Sequence, residues 1–183
     1  MGAQGTGKTT LLHALRSEKV FKDYKICDES TRWVKNLGFE INQGASDNTQ
    51  ILIAMKHIYN MFMYENQITD RTIIDCYVYT TYQFSNAKLT DKTYYEIEKI
   101  TKKLLPLYDK IFYLEPEFKI EDDGVRSIDK QYQQNIVDGF NDAIYRFKVP
   151  FVKLTGSVRE RVEQVLGEIK KYNDGFAKYM ESR

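Results

Sequence analysis

Residues 2–9 constrain this chain more than any other stretch. Gly2-Ala3-Gln4-Gly5-Thr6-Gly7-Lys8-Thr9 fits the spacing G-x-x-x-x-G-K-[ST], the pattern of a phosphate-binding loop, or P-loop. A loop that wraps a polyphosphate aims successive backbone N–H groups inward, and glycines permit the dihedrals and the close approach. Lys8 supplies a point charge for the β- and γ-phosphates, and the Thr9 hydroxyl is a hard oxygen for Mg²⁺. Thr10-Leu11-Leu12-His13-Ala14-Leu15 continues as a helix whose positive N-terminus faces the phosphates. Gly2, Gln4, Gly5, Thr6, Gly7, Lys8, Thr9 and Thr10 are thus the candidate cradle for ATP. A chance glycine-rich turn is the competing reading, and the helical pattern that follows weighs against it.

Such a loop normally follows a buried strand, and here only Met1 precedes Gly2. We expect that a short apolar strand has been lost upstream, by a start placed too far downstream or by shortening. The alternative is a chain that tolerates the loss.

The 183 residues suit one domain with a real core. At 42% hydrophobic and 29% charged residues the chain is neither disordered nor membrane-spanning. Lys+Arg 27 against Asp+Glu 26 leaves no electrostatic footprint for nucleic acid. Lys99, Lys102, Lys103 and Lys110 read as a solvated face. Cys27 and Cys76 sit in apolar segments without metal spacing and read as reduced and structural. With no transmembrane run and no signal peptide, a cytoplasmic location is the expectation.

Strand and helix patterns alternate along the rest. Strands are expected at 21–27, 67–69, 110–114 and 150–154. Helices are expected from Trp33 to Leu37, stopped by Gly38, and from a cap at Ser46 or Asp47. Others follow at Ile73 to Phe84, from Leu89 to the breaker Pro106, through Tyr132–Phe147, and from Val158. In the helix after Ser46, the residues Ile51, Leu52, Met55, Ile58, Tyr59, Phe62 and Met63 read as the inward stripe. His57 lies off it and reads as solvated or satisfied rather than as a substrate contact. The pattern fades after residue 171, so 1–171 reads as the kinase-like domain and 172–183 as a frayed tail. The whole predicts an α/β P-loop NTPase fold: one parallel sheet flanked by helices, its first strand missing.

In such a sheet, residues just past the carboxyl ends of the strands face the ligand crevice. Glu29 is the candidate base or acceptor-orienting carboxylate. Asp70 is the candidate Mg²⁺ ligand, directly or through a water. Arg71 and Arg32 are candidates for holding the acceptor. Arg126, in a polar loop, is placed to neutralise γ-phosphate charge. Strand-end capping is the plain alternative for Glu29 and Asp70, and a surface ion pair for Arg32 and Arg126.

Glu29-Ser30-Thr31-Arg32, Asp70-Arg71 and Asp123-Gly124-Val125-Arg126-Ser127 together resemble the ribosylnicotinamide-kinase domain of bacterial NAD-biosynthesis regulators and related phage P-loop kinases. Val149–Leu154 with Arg159-Glu160-Arg161 is similar too, so the resemblance reaches about residue 170. It implies a nucleoside-kinase-like fold, ATP·Mg²⁺ as donor, and a nucleoside or nucleotide acceptor between the second strand and a lid carrying Arg126. It places Thr155–Ser157 by the adenine. Residues 36–50 match nothing assignable, which leaves the acceptor open. Two other readings stand beside a small-molecule kinase: a kinase acting on a nucleic-acid hydroxyl, which the near-zero net charge disfavours, and an ATPase or NTP-binding switch.

Overall fold

The computed structural model describes residues 1–27, 29–116 and 129–181, with side chains to residue 174. The elements in order are α1 (Lys8–Arg16), β1 (Lys25–Cys27), α2 (Ser30–Asn36), α3 (Asp47–Met63), β2 (Gln67–Thr69) and α4 (Ile73–Ser85). They continue with α5 (Asp91–Leu104), β3 (Phe112–Leu114), α6 (Lys130–Phe147), β4 (Val152–Leu154) and α7 (Val158–Glu181). Local chemistry sets most boundaries. Ser46 and Thr49 form a reciprocal cap on α3, and Thr72 and Asp75 do the same on α4. Gly38, at φ 90, closes α2 as its sequence position suggests. α5 ends at Leu104, ahead of Pro106.

All strand pairing among the described residues is parallel, in two separate pairs. β1 runs beside β2 with Ile26 opposite Ile68, and β3 beside β4 with Tyr113 opposite Lys153. Met1 sits alone against β3: its ammonium donates to the Phe112 carbonyl at 2.7 Å, and its carbonyl accepts from Leu114 N–H at 3.1 Å. Beside Met1, a cavity of about 290 Å³ between the two pairs is lined by apolar residues such as Ile68, Phe112, Leu114 and Leu11 and by the site residues Lys8, Asp70 and Arg71.

Two cores flank this gap. One packs α4 and α6 through Ile73, Ile74, Val78, Tyr132, Ile136 and Phe140, and the other packs α1 and α7 through Leu11, Leu15, Val162 and Val165. Burial of the α6 stripe is as its spacing predicts. α7 does not stop at residue 171 but runs to Glu181, and the Tyr172 hydroxyl donates to Asp109 at 2.7 Å.

Five of the seven residues expected to face inward on α3 face outward, while Leu52 and Ile58 pack half-buried against the core. Ile51, Met55, Tyr59, Phe62 and Met63 are 42–67% exposed, while Thr49, Gln50, Ile53, Ala54, His57 and Asn60 are buried. The helix carries apolar residues on every side, so periodicity did not decide which face turns in. The buried side is the one whose polar groups meet those of α4 and the strand ends.

Candidate phosphate and acceptor site

The P-loop joins Met1 to α1 and takes left-handed backbone at Gly5 (φ 74) and Gly7 (φ 81), where a side chain would be strained. Three side chains from distant elements brace it from behind. The Tyr79 hydroxyl donates to Gln4 Oε1 at 3.0 Å, Gln133 Nε2 to the Gln4 carbonyl at 2.7 Å, and Arg161 Nη1 to the Thr6 carbonyl at 2.8 Å. Sequence reasoning named none of the three as site residues. Arg161 alone carried a signal, in the stretch that resembled the kinase domain.

The Lys8 ammonium folds back onto its own loop, donating to the Ala3 carbonyl at 2.5 Å and to Thr6 Oγ1 at 3.0 Å. Burial, and then the Arg71 guanidinium, lower its pKa to about 8; Asp70, Asp75 and Glu29 pull the other way. Glu29, Asp70 and Arg71 thus gather beside Lys8 as the sequence reading expects, and Asp75, which that reading did not place in the site, joins them.

Thr9 Oγ1 donates to Asp70 Oδ2 at 2.5 Å, placing two hard oxygen donors side by side at the carboxyl end of β2. No group of three or more His, Cys, Asp or Glu side chains suited to a metal occurs among the described residues. Two oxygens fit Mg²⁺, which keeps most of its waters and takes the rest of its shell from phosphate. Thr10 is exposed on α1.

Glu29 and Arg71 form a buried pair across the ends of β1 and β2. Arg71 Nε and Nη2 both lie 2.6 Å from Glu29 Oε1, Nη1 lies 3.6 Å from Asp75 Oδ1, and the guanidinium covers the Tyr79 ring at 5.1 Å. Burial alone would lower the Arg71 pKa, but Glu29, Tyr79, Asp75 and Asp70 hold it well above its ordinary value. The Arg71 backbone has φ 99, an outlier for a residue with a side chain, and such strain concentrates at functional sites.

Asp75, 1% exposed, ties this cluster together. It accepts from Thr72 N–H at 2.8 Å, from Thr72 Oγ1 at 2.9 Å and from Gly2 N–H at 3.2 Å, so it joins the start of the P-loop to the cap of α4. Burial would raise its pKa; the Met1 ammonium, Arg71, Lys8 and the Thr72 hydrogen bond overcome that and lower it. The spacing of Thr72 and Asp75 was the available signal, a capping pattern.

On the far side of Arg71, a small cavity of about 20 Å³ is lined by Thr31, Asn42, Gln50, His57, Arg71 and Tyr79, among others. It holds about one water. His57 is 4% exposed and its Nε2 has no hydrogen-bond partner. It is buried rather than on the surface, and its Nε2 takes no hydrogen bond from a protein group. Arg32 is half-buried on α2 and does not line this cavity. Arg126 lies outside the described residues.

The family model for an AAA domain matches residues 1–161. The chain belongs to that family. Among solved structures, this AAA-domain chain is similar to deoxyadenosine kinase from M. mycoides with the products dCMP and a flexible dCDP. That match has a TM-score of 0.68 at 15% identity and covers 93% of this chain and 96% of the other. The same kinase with bound dCTP gives 0.66 at 16%, covering 93% and 97%. The YorR protein from Bacillus subtilis, in complex with phosphorylated GDP, gives 0.57 at 16%, covering 93% of each chain. Likeness at such identity speaks for the fold, an α/β P-loop NTPase with parallel strands flanked by helices. Among curated proteins none matches this AAA-domain chain. No helix among its described residues is long and apolar enough to cross a membrane.

Proposed function

We propose that this protein is an ATP·Mg²⁺-dependent kinase that transfers the γ-phosphoryl group to a nucleoside, a nucleotide or a nucleoside-like acceptor. One observation carries the reading: Lys8, the Thr9–Asp70 pair and the Glu29–Arg71 pair converge where β1 and β2 end beside the P-loop. A hydrolytic switch has no evident use for a buried carboxylate–guanidinium pair beside a second cavity. The resemblance to the ribosylnicotinamide-kinase domain points the same way.

ATP·Mg²⁺, when bound, supplies the phosphoryl group. Lys8 would exchange its bonds to Ala3 and Thr6 for phosphate oxygens, and Thr9 and Asp70 would hold the metal. Glu29 orients the acceptor hydroxyl and takes its proton as the phosphoryl group leaves. Phosphoryl transfer passes through a loose transition state, so the step asks little base strength of Glu29. Arg71 fixes the Glu29 carboxylate and faces the acceptor. The cavity of about 20 Å³ is too small for a nucleobase, which enters only when the wall at Thr31, Asn42 and Ala45 moves outward. Arg126 and the residues around Thr155–Ser157 keep the lid and adenine roles that the resemblance implies.

The test is a phosphate-transfer screen over nucleosides, nucleoside monophosphates, nicotinamide riboside and DNA, reading ADP formed and phosphorylated product by mass. An acceptor-dependent small-molecule product is expected. ADP release with no phosphorylated acceptor would turn the reading to an ATPase module. A product on DNA alone, lost steeply with salt, would turn it to a nucleic-acid kinase.

A further inference from the structure

The polar groups around Gln4 are paired, with one exception. Thr6 Oγ1 donates to the Ala3 carbonyl at 3.2 Å and accepts from Lys8. The Gln4 carbonyl accepts from Gln133, and Gln4 Oε1 from the Tyr79 hydroxyl. The exception is the amide nitrogen. Gln4 is 3% exposed, and its Nε2 has no hydrogen-bond partner. A buried donor without an acceptor is costly, and one that sits in a binding loop calls for a partner that arrives with the ligand.

Tyr79 fixes which way the amide faces. Its ring lies against the Arg71 guanidinium. Burial raises the Tyr79 pKa, and Arg71 opposes that by its charge and by a hydrogen bond to the hydroxyl. A guanidinium can only donate, so the hydroxyl oxygen serves Arg71 and its proton goes to Gln4 Oε1. Nε2 is then the end of the amide left over. Its place in the site matters as much. Gln4 follows Ala3, whose carbonyl holds the Lys8 ammonium, and through Tyr79 it adjoins Arg71, which holds Glu29. The amide thus lies between the cation of the cradle and the pair on the acceptor side, the path of a terminal phosphate.

We propose that Gln4 Nε2 is a donor to the γ-phosphate of bound ATP, taken up as Lys8 turns from its own loop to the polyphosphate, and that Tyr79 is the positioning residue that aims it. A preset neutral donor aimed at phosphate charge needs no rearrangement of its own. It also lets the loop hold ATP more tightly than ADP. This role rests on residues 2–9 as an ATP cradle and not on the kinase reading, since a hydrolase with the same loop would use Gln4 in the same way.

The test is the affinity of the full chain, with Mg²⁺, for ADP and for the non-hydrolysable ATP analogue AMP-PNP, by isothermal titration. Gln4→Ala is expected to weaken AMP-PNP by roughly tenfold or more, the scale of one hydrogen bond to a charged group, and to leave ADP nearly unchanged. Gln4→Glu cannot donate and repels the phosphate, so its loss for AMP-PNP should be larger. Tyr79→Phe keeps the ring against Arg71 and releases the amide; it should weaken AMP-PNP by about threefold and spare ADP. In parent protein labelled with ¹⁵N-glutamine, the side-chain NH₂ signals that show contacts to the Tyr79 ring should move with AMP-PNP and not with ADP, a readout that needs no variant to fold. Equal losses for both nucleotides would mean that Gln4 and Tyr79 merely brace the loop, and would overturn the proposal. So would an AMP-PNP affinity unchanged in Gln4→Ala, or NH₂ signals that ignore AMP-PNP. Lack of a phosphorylated acceptor in the transfer screen would overturn the kinase reading alone, and a parent that binds neither nucleotide would overturn both.

Discussion

The donor and acceptor sides of the site are built in opposite ways. The phosphate cradle comes from consecutive residues, 2–9, on one turn between Met1 and α1. The acceptor side takes Glu29 from the end of β1, Arg71 from the end of β2, Gln50 and His57 from α3, and Asp75 and Tyr79 from α4. The first is set by local backbone geometry, and tertiary contacts only brace it. The second exists only once three helices have packed, and its polar groups are buried at desolvation cost, with Nε2 of His57 left unpartnered. The difference implies that substitutions on the donor side act on chemistry with little effect on stability, while the acceptor side couples chemistry to folding.

The largest effect that would separate the two sides is expected at Glu29. Glu29→Gln should leave ATP binding nearly unchanged and reduce transfer by roughly the hundred- to ten-thousandfold typical of a lost general base. Part of that loss should appear as a raised acceptor KM, because the amide no longer pairs with the Arg71 guanidinium that orients it. Equal rates and equal acceptor KM in variant and parent would remove Glu29 from the site.

Lys8→Ala is expected to cost about a hundredfold or more in transfer, by loss of phosphate-charge stabilisation. Thermal stability should hold or rise, since a desolvated ammonium is removed. A variant with near-full activity would show that residues 2–9 are not the catalytic cradle. A variant that unfolds would show that the donor side is not independent of the fold.

These contrasts also explain what the sequence made legible. The P-loop was readable because its function is written in one short, strongly constrained segment. The strand ends were readable because Glu29 and Asp70-Arg71 follow short apolar runs, and parallel strands point their carboxyl ends into a crevice. α3 was misread because Thr49, Gln50 and His57 look like an outer face until the cavity they line is known. The bracing groups Tyr79, Gln133 and Arg161 were invisible because each serves a backbone or side-chain acceptor more than 70 positions away.

His57 sharpens the acceptor half of the comparison. Burial lowers its pKa to about 4 from an ordinary 6.5, with Asp75 opposing and Arg71 assisting. The folded state therefore binds fewer protons than the unfolded state between those values, and stability falls as pH drops from 6.5 towards 4. The full difference is about 3 kcal/mol. Denaturant melts at steps through that window should show the loss in the parent and a shallower slope in His57→Gln, whose side chain does not titrate. The same slope in both proteins would mean that the imidazole is not held neutral in the fold.

The smallest expected effect concerns the donor side and pH. In the free protein Lys8 titrates near 8 because burial and Arg71 oppose its charge. Bound polyphosphate favours the ammonium, so binding above that pH takes up a proton. ATP affinity should then be flat below pH 8 and weaken by about tenfold per unit above it, until the pKa of the bound state is reached. The buried Met1 ammonium also has a lowered pKa, so an N-terminally acetylated sample is needed to isolate Lys8. Isothermal titration in two buffers of different ionisation enthalpy would count the protons taken up. Lys8→Arg keeps its charge throughout this range and should abolish the dependence, even if it binds more weakly. A parent whose affinity does not change between pH 7.5 and 9.5 would mean that Lys8 keeps its charge in the free loop, and that the desolvation inferred for the donor side is relieved by solvent.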